Sequence, residues 1–325
     1  MKALKIVVLG GSGFVGKRLV TRLHDDGHTI TVLSRNREQN RELSVLPRVM
    51  VQNADVHDPD QLMRWLDGAD AVVNLVGILN ETGNDGSGFE KAHVQLLISL
   101  IAACEACGVR RILQMSSLRA GEGHSHYLRS RGDAEALLRN SDLAWTLFRP
   151  SVIFGPGDGL FFRFASLLSV TPVLPLARAD ARFAPVYVDD VTEAFARALA
   201  HPHSIHHCYE LFGPDTISLA EIVRWTAALR EQRRWVIALP DVLGRIQARF
   251  GEWLPGKPIS RDNFLSLQLD SVGSHDGLAA LGIIATPMAI IVPAMLRRDP
   301  HQAELDALRA LGAPPKLDAP RQLDS

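Results

Sequence analysis

The segment Val8-Leu9-Gly10-Gly11-Ser12-Gly13-Phe14-Val15-Gly16 decides the fold of this chain. It follows a short apolar run and precedes apolar residues at helical spacing, so it joins a predicted strand to a predicted helix. Gly10 permits a tight turn, Gly13 lets backbone N–H groups approach a phosphate, and Gly16 lets the helix pack closely on a sheet. The helix N-terminus offers partial positive charge to an anion. The segment therefore predicts a dinucleotide-binding loop, the alternative being a glycine-rich turn in another α/β fold.

Strand-like and helix-like segments alternate over the first two-thirds of the chain. The predicted strands, all short and apolar, are Ile6–Leu9, Thr29–Leu33, Val49–Gln52, Ala71–Val76, Ile112–Met115 and Trp145–Phe148. A long apolar helix is predicted from about Glu90 to Cys107. Strands that are apolar on both faces and separated by helices indicate a parallel sheet covered on both sides. We therefore expect an α/β fold, a Rossmann-type doubly wound parallel sheet with a smaller C-terminal substrate lobe.

Proline and glycine interrupt this alternation after Arg149, which suggests a change of organisation. We expect a NAD(P)-binding domain over residues 1–200, a smaller lobe over 201–312 and a flexible tail over 313–325. Some segments after residue 150 should contribute to the ligand cleft, which lies beyond the carboxyl ends of the strands in such folds.

The composition argues against several classes of protein. The 325 residues include 35 Lys+Arg and 36 Asp+Glu, and this balance predicts no nucleic-acid partner. Three cysteines are too few to form a disulfide framework. The sequence contains no run of 18 apolar residues, so no membrane span is predicted. We expect a cytoplasmic protein whose partner is a small-molecule substrate.

The residues after the second predicted strand indicate which nucleotide binds. Ser34 and Arg35 stand where NAD-binding proteins of this fold carry an acid, and the first acidic residue after the second predicted strand is Glu38. A hydroxyl and a guanidinium suit a 2′-phosphate, so NADP(H) is favoured, with NAD(H) as the alternative. An arginine-bearing surface turn is the competing interpretation.

The spacing of the three loop glycines resembles that of the extended and atypical short-chain dehydrogenase/reductase superfamily. The resemblance implies further cofactor-binding residues: Asp55 and Val56 beside the adenine, Asn74, Leu75, Val76 and Gly77 beneath the ribose, and Pro150, Ser151 and Val152 facing the nicotinamide. With Ile259–Asn263 and Leu281–Ile283, the chain looks most like the branch of the NADPH-binding accessory subunit of respiratory complex I and its bacterial homologues. For the mitochondrial subunit of that branch, the resemblance implies a bound NADPH that has a structural role and is not turned over.

The family's catalytic Tyr-x-x-x-Lys motif is matched by Tyr127 and Arg131. A spacing of four places both side chains on one helix face. In the family the lysine holds the ribose and lowers the tyrosine pKa; Arg131 keeps the charge but cannot relay a proton. Leu118 occupies the usual serine position, so Ser116 or Ser117 would substitute.

Two functional hypotheses follow. The first is an NADP(H)-dependent oxidoreductase that reduces a carbonyl or quinone-type small molecule. The second is a nucleotide-binding protein without turnover that acts in respiratory-complex or quinone-pathway assembly, with a protein or membrane-peripheral partner at the inner membrane. The four-residue spacing between Tyr127 and the cation Arg131 favours the oxidoreductase. The absence of the family's lysine and serine favours the protein without turnover.

Four other patterns receive structural interpretations. Cys104 and Cys107 are predicted to be a buried pair on a helix, and the histidines of His201–His207 a polar link, so no metal is predicted. His124 and His126 are expected in a solvated loop. The helical stripe Val242, Ile246, Phe250 and Trp253 is interpreted as core of the lobe, the alternative being an interfacial membrane helix helped by Arg245 and Arg249.

Overall fold

The computed structural model describes residues 3–252 and 259–296 of the chain. The predicted tail 313–325 and Trp253 lie outside these ranges. The described strands are β1 (Lys5–Leu9), β2 (Thr29–Ser34), β3 (Val49–Asn53), β4 (Ala71–Asn74), β5 (Arg111–Met115), β6 (Ala144–Pro150), β7 (Ile153–Phe154), β8 (Val173–Ala177), β9 (Arg182–Phe183), β10 (Val186–Tyr187), β11 (His207–Leu211), β12 (Ile217–Ser218) and β13 (Trp235–Leu239).

Helices separate most of these strands. They are α1 (Phe14–Asp25), α2 (Pro59–Leu66), α3 (Ser87–Phe89), α4 (Leu96–Cys107), α5 (His126–Arg139), α6 (Phe161–Val170), α7 (Val188–Ala200), α8 (Leu219–Leu229), α9 (Asp241–Gly251), α10 (Arg261–Ser266), α11 (Gly277–Ala280) and α12 (Met288–Leu296). Short 3-10 helices cover Glu38–Val45 and Pro202–Ser204, and a π-helical segment, Glu90–Gln95, leads into α4.

The centre of the molecule is a seven-stranded sheet in the order β3-β2-β1-β4-β5-β6-β11, and every neighbouring pair in it is parallel. The six predicted strands all belong to it, so the predicted Rossmann-type fold is confirmed. The chain moves outward from β1 to β3 and then returns to β4 on the other side of β1. This reversal opens a crevice at the carboxyl ends of β1 and β4, where ligands bind in such sheets.

Alternate residues of β1 enter two different apolar cores, as the pleat of a strand requires. Ile6 and Val8 pack with Leu19 of α1 and Phe195 of α7 on one face. Val7 and Leu9 pack on the other face in a second cluster that includes Leu97 of α4 and Leu147 of β6. Both faces of the sheet are therefore buried, which explains why its strands are apolar throughout.

A second group of elements packs beside the sheet. β8 pairs with β13, β9 pairs with β12, and α6, α8 and α12 enclose an apolar cluster around Phe161 and Ile222. The seventh sheet strand, β11, comes from residues after 200, whereas β8 and α6 come from residues before it. The division at residue 200 therefore stays a proposal. Within the described ranges, no helix has the length and apolar character needed to cross a membrane.

Polar contacts fix the second group to the carboxyl edge of the sheet. Asp190 of α7 accepts hydrogen bonds from the Thr286 backbone N–H and hydroxyl at 2.7 and 2.9 Å. The Arg119 guanidinium, in the loop after β5, donates to the Asp270 and Val272 carbonyls at 3.0 and 3.2 Å. These contacts join the C-terminal segment to α7 and to the loop that follows β5.

Candidate functional site

The glycine loop between β1 and α1 is shaped by backbone contacts that exclude larger residues. Gly10 has a φ of +75°, and a side chain there would lie 3.0 Å from the Leu75 carbonyl carbon. A side chain on Gly16 would overlap the backbone of Gly10 and Gly11. The Gly13 N–H donates to the Gly10 carbonyl at 3.0 Å and closes the turn. The loop is therefore a narrow backbone cradle, as the sequence indicates.

The first turn of α1 is open to an anion. Gly13 is its N-cap and provides no side chain to accept the first N–H groups, and the first turn carries no acidic residue. Unpaired N–H groups at a helix start, together with the helix dipole, attract phosphate. The cradle and this helix start fit a dinucleotide pyrophosphate.

The end of β2 presents an exposed arginine beside a hydroxyl network. Ser34 is buried; Asn40 Nδ2 donates to its Oγ at 3.2 Å, and the Ser12 hydroxyl lies 3.4 Å away. Arg35 is exposed, and its side chain makes no hydrogen bond or ion pair within the described ranges. The hydroxyl of Ser34 thus ties the glycine loop to the β2 loop, while Arg35 is available to a phosphate.

Two predicted cofactor segments follow β3 and β4 at the same edge. Asp55 is exposed, and its Oδ1 accepts from the His57 N–H at 3.0 Å. Val56 beside it is half-buried. Asn74 is buried; it donates to Gln114 Oε1 at 2.9 Å and accepts from the Val76 N–H at 3.1 Å. Asn74 therefore fixes the course of Leu75, Val76 and Gly77 across the crevice.

Tyr127 lies in the first turn of α5, with its ring held edge-on by two aromatic residues. Its centroid is 5.9 Å from that of Phe89 and 5.7 Å from that of His93. The phenol hydroxyl makes no hydrogen bond within the described part of the chain. The ring is therefore positioned by packing, and its hydroxyl remains available to a ligand.

Arg131 follows one turn later and points back to the sheet. Its Nη1 donates to the Met115 carbonyl at 3.0 Å and to the Val76 carbonyl at 3.4 Å. The guanidinium carbon is 5.5 Å from the Tyr127 ring centroid, and the same group presses against Gly77. Its Nε is buried without a partner. The structure thus brings Tyr127, Arg131 and Gly77 together, and Arg131 uses part of its donor set on the backbone.

The two candidate serines have different surroundings. The Ser116 hydroxyl donates to Glu135 Oε1 at 2.6 Å, and Arg149 forms a two-point ion pair with the same carboxylate at 2.8 and 2.6 Å. Ser117 Oγ is buried with no hydrogen-bond partner. Leu118, in the family's serine position, is buried as well. Ser116 is therefore committed to a buried ion pair, and Ser117 carries the unpaired hydroxyl.

The segment after β6 is covered by the C-terminal part of the chain. Pro150 and Ser151 are buried, and the Ser151 hydroxyl donates to the Ser271 carbonyl at 2.7 Å. Val152 is half-buried, and its carbonyl accepts from the Val186 N–H at 3.0 Å. This segment links the sheet to the second group of elements, and the hydroxyl of Ser151 is used in that link.

Two residues of the site were missed from the sequence. His93 lies on the π-helical segment; its Nδ1 is 2.8 Å from the Ser130 hydroxyl, and its Nε2 is buried without a partner. Burial, and then the charge of Arg131, lower the pKa of His93 to about 2. Asp262 of α10 accepts from the His126 and Tyr127 N–H groups at 2.6 and 3.2 Å, and burial raises its pKa. The four-residue spacing between Phe89 and His93 could have indicated His93 from the sequence. No local sequence pattern indicates Asp262.

A cavity of about 180 Å³ adjoins the start of α5. Its lining includes Asn80, Glu81, Phe89, His126, Arg261 and Asp262. His126 is half-buried as the first residue of α5, so the expectation that it lies in a solvated loop is wrong; His124 is exposed. The cavity is bounded by the sheet side and by α10, so both parts of the chain contribute to it.

The cysteine and histidine patterns lie away from these residues. Cys104 is buried in α4, where burial raises the pKa of its thiol to about 12. His203 and His206 are exposed in the link before β11, and His207 is the exposed first residue of that strand. Among residues 3–252 and 259–296, no three His, Cys, Asp or Glu side chains are grouped to hold a metal ion.

The fold and the glycine cradle are those of a dinucleotide-binding protein. Residues 10–159 match the NAD(P)H-binding family NAD_binding_10. These matches support the resemblance of the chain to the extended short-chain dehydrogenase/reductase superfamily, whose NAD-dependent epimerase-like members share its fold. A nicotinamide dinucleotide is the supported cofactor class.

Individual relatives show how broad this superfamily is. The chain is 31% identical over 260 residues to "NADH dehydrogenase (ubiquinone) 1 alpha subcomplex subunit 9, mitochondrial" of Arabidopsis thaliana, covering 77% of this chain and 64% of that protein. It is 29% identical over 242 residues to the ceramide reductase of Caulobacter vibrioides, covering 73% of this chain and 74% of the reductase. The Thermus thermophilus UDP-glucose 4-epimerase structure, complexed with NAD, has a TM-score of 0.62 at 21% identity and covers 80% of this chain and 99% of its own.

Proposed function

We propose that this chain is an NADP(H)-dependent reductase of a carbonyl-bearing small molecule, with Tyr127 as the proton donor. The observation that carries the proposal is the position of the Tyr127 phenol, held by Phe89 and His93 at the carboxyl edge of the sheet with its hydroxyl unengaged in the described chain. A relative named ceramide reductase supports reduction as the reaction type.

The choice of NADP(H) rests on Arg35. Its exposed guanidinium follows β2, at the place where this fold receives the adenosine ribose, and no acid stands beside it. A guanidinium pairs with a phosphate through two parallel hydrogen bonds. Gly10, Gly13 and the start of α1 hold the pyrophosphate, and Asp55 and Val56 border the adenine. When bound, NADPH supplies the hydride that reaches the carbonyl carbon.

The side chains at the crevice have the other roles in the proposed reaction. Tyr127 donates its proton to the carbonyl oxygen as the hydride arrives, and the product is an alcohol. The half-buried phenol then regains a proton from solvent. Arg131 keeps positive charge beside the phenol and the ribose, anchored on the carbonyls of Met115 and Val76. Ser117, whose buried hydroxyl has no partner in the described chain, would donate to the substrate or the nicotinamide amide. His93, held neutral by burial, fixes the ring of Tyr127 without adding a charge.

A second candidate is a protein that binds NADPH as a structural element and acts in the assembly of a respiratory complex or a quinone pathway. The buried Leu118 and the commitment of Ser116 to Glu135 favour it, because they remove the usual serine donor from the substrate. The mitochondrial relative, a named subunit of NADH dehydrogenase, supports a protein partner in that case.

Turnover measurements separate the two candidates. The purified chain is assayed for NADPH oxidation with long-chain ketones, 3-oxo acids and quinones, and Tyr127→Phe is compared with Tyr209→Phe, a half-buried tyrosine stacked on Phe148. We expect Tyr127→Phe to lower kcat by about 10²–10⁴-fold, the usual worth of a general acid, while the Kd for NADPH changes less than about twofold. Tyr209→Phe should behave as wild type.

Two results would overturn the reductase proposal. Normal turnover by Tyr127→Phe removes this residue from the mechanism. Tight NADPH binding without oxidation by any carbonyl or quinone in the panel assigns the chain to the second candidate.

A further inference from the structure

Helix α9 presents its large apolar residues outward. With about 3.6 residues per turn, Val242, Ile246 and Phe250 share one side of the helix. These side chains are 70%, 47% and 71% exposed. The prediction that this stripe is core of the lobe is therefore wrong for the three described members.

The side of α9 that packs inward consists of small residues, which explains why the large apolar residues face outward. Gly244, Ala248 and Gly251 are buried, and a side chain on Gly244 would lie 2.9 Å from the Phe264 ring and 3.1 Å from Ala177 Cβ. Gln247 fastens the helix to β8 by accepting from the Ala177 N–H at 3.2 Å and donating to the Pro175 carbonyl at 2.7 Å. The helix thus packs closely without using its large apolar side chains.

The adjoining pair of strands also exposes apolar residues. Trp235 of β13 pairs in register with Val173 of β8, and the two side chains are 74% and 42% exposed. Ile237, two residues along β13 on the same face, is 49% exposed. The alternate residues, Val236 and Leu174, pack inward against the cluster around Leu168 and Val223. We call the exposed set Val173, Trp235, Ile237, Val242, Leu243, Ile246 and Phe250 the apolar face.

Uncompensated positive charge borders the apolar face. Arg233, Arg245 and Arg249 are exposed, and none has an acidic partner among the described residues. Asp241, the acid at the start of α9, is paired with Arg178 at 2.8 Å. Exposed aliphatic and aromatic residues flanked by arginines are the composition of a surface that lies in the headgroup region of a bilayer. Trp235 suits this depth because its ring is apolar and its N–H is polar.

We propose that the apolar face docks on a membrane surface containing anionic lipid. A second copy of the chain fits less well, because a two-fold contact would bring the same arginines of both copies together. Helix α9 leads directly to Glu252, which lines the cavity at the start of α5. Docking would hold that cavity close to the lipid surface. The proposal does not depend on cofactor turnover.

The test is vesicle co-sedimentation of the full chain without cofactor. Vesicles of phosphatidylcholine are compared with vesicles of phosphatidylcholine and phosphatidylglycerol, at low and high salt. We expect binding to the anionic vesicles that falls severalfold at high salt, since the contribution of exposed arginines is screened. Tryptophan emission should shift to the blue on binding, and Trp235→Phe should lose most of that shift.

Two paired variants identify the surface. Ile246→Ser with Phe250→Ser and Arg245→Glu with Arg249→Glu should each lower vesicle affinity at least about tenfold, because each removes apolar contact or charge attraction. The controls are Ile98→Ser on α4 and Arg110→Glu before β5, exposed residues of the same types outside the apolar face. They should bind as wild type, and thermal melts establish that every variant is folded.

Other outcomes overturn the proposal. Absence of sedimentation with anionic vesicles contradicts it, as does equal loss of binding in the control variants. If wild type stays in solution with vesicles, and light scattering shows a dimer that Phe250→Ser dissociates, the apolar face is an interface between copies of this chain.

Discussion

The glycine loop and the segment from β5 into α5 lie at the same edge of one sheet, yet they are built in different ways. The loop is defined by the backbone: a side chain on Gly10 or Gly16 would meet neighbouring backbone atoms. The second segment is defined by side chains, and most of these contact the protein itself. Ser116 bonds Glu135, Arg131 bonds two carbonyls, and Leu118 is buried.

This difference teaches that the two parts of the site are constrained separately. A backbone cradle is retained or lost as a unit, because a change in it displaces the strand and helix that it joins. A catalytic side chain can be replaced while the fold persists, as arginine at position 131 illustrates. The cradle therefore constrains cofactor binding, whereas the side chains after β5 would set the chemistry.

Gly16→Ala should produce the largest effect. The added Cβ overlaps the Gly10 and Gly11 backbone, so α1 must move away from the loop. We expect the free energy of unfolding to fall by about 2–3 kcal/mol, the range for overpacking, and NADPH affinity to fall by more than about 100-fold. Gly159→Ala, with open space around it, is the control, measured by chemical denaturation and calorimetric titration. Unchanged NADPH affinity in Gly16→Ala would mean that the loop does not hold the pyrophosphate.

His93→Asn should alter the response to acid, because an amide can take the place of Nδ1 beside Ser130 but does not titrate. The pKa of His93 is lowered from 6.5 to about 2, so below pH 6.5 the unfolded chain binds a proton that the folded chain does not. Stability therefore falls as pH falls through this window. The slope is about 1.4 kcal/mol per pH unit for this group.

Denaturation curves at several pH values test that expectation. Burial raises the pKa of Asp158, Asp190 and Asp262, and these carboxyls contribute a slope of opposite sign in both proteins. The difference between wild type and His93→Asn isolates the histidine, with His124→Asn as the exposed control. Parallel curves for wild type and His93→Asn would show that His93 accepts a proton in the folded protein.

Ser116→Ala and Ser117→Ala form a matched pair. Removing the hydroxyl of Ser116 takes a hydrogen bond from a buried carboxylate and should cost about 1.5–3 kcal/mol. Ser117 Oγ has no partner, so its removal should change stability by less than about 0.5 kcal/mol. Ser117→Ala should instead reduce turnover or NADPH affinity. The reverse pattern would assign the catalytic hydroxyl to Ser116.

Local patterns were sufficient for the sheet. Short apolar strands such as Val49–Gln52 and the glycine spacing identified the fold, because periodicity and turn chemistry act within a few residues. The stripe on α9 was misassigned for a related reason. Periodicity shows that Val242, Ile246 and Phe250 share a side of the helix, but only the small residues opposite them reveal which side packs inward.

Long-range contacts in the site could not be predicted from the sequence. Asp262 reaches the start of α5 from a separation of 136 residues, and Glu135 meets Ser116 and Arg149 through three different elements. Such partners are chosen by the tertiary packing and leave no local pattern. The segment containing Tyr127 was identified by its motif alone, whereas the partners that fix its geometry became visible only in the structure.

The central claim is that the backbone cradle and Arg35 hold NADP(H). Calorimetric titration of NADPH and NADH into wild type and Arg35→Ala tests it most directly, with Arg37→Ala as the exposed neighbouring control. We expect wild type to favour NADPH at least about tenfold, equivalent to about 1.4 kcal/mol, and Arg35→Ala to lose that preference while its NADH affinity is unchanged. Equal binding of both nucleotides by wild type, or a preference that survives in Arg35→Ala, would contradict the account.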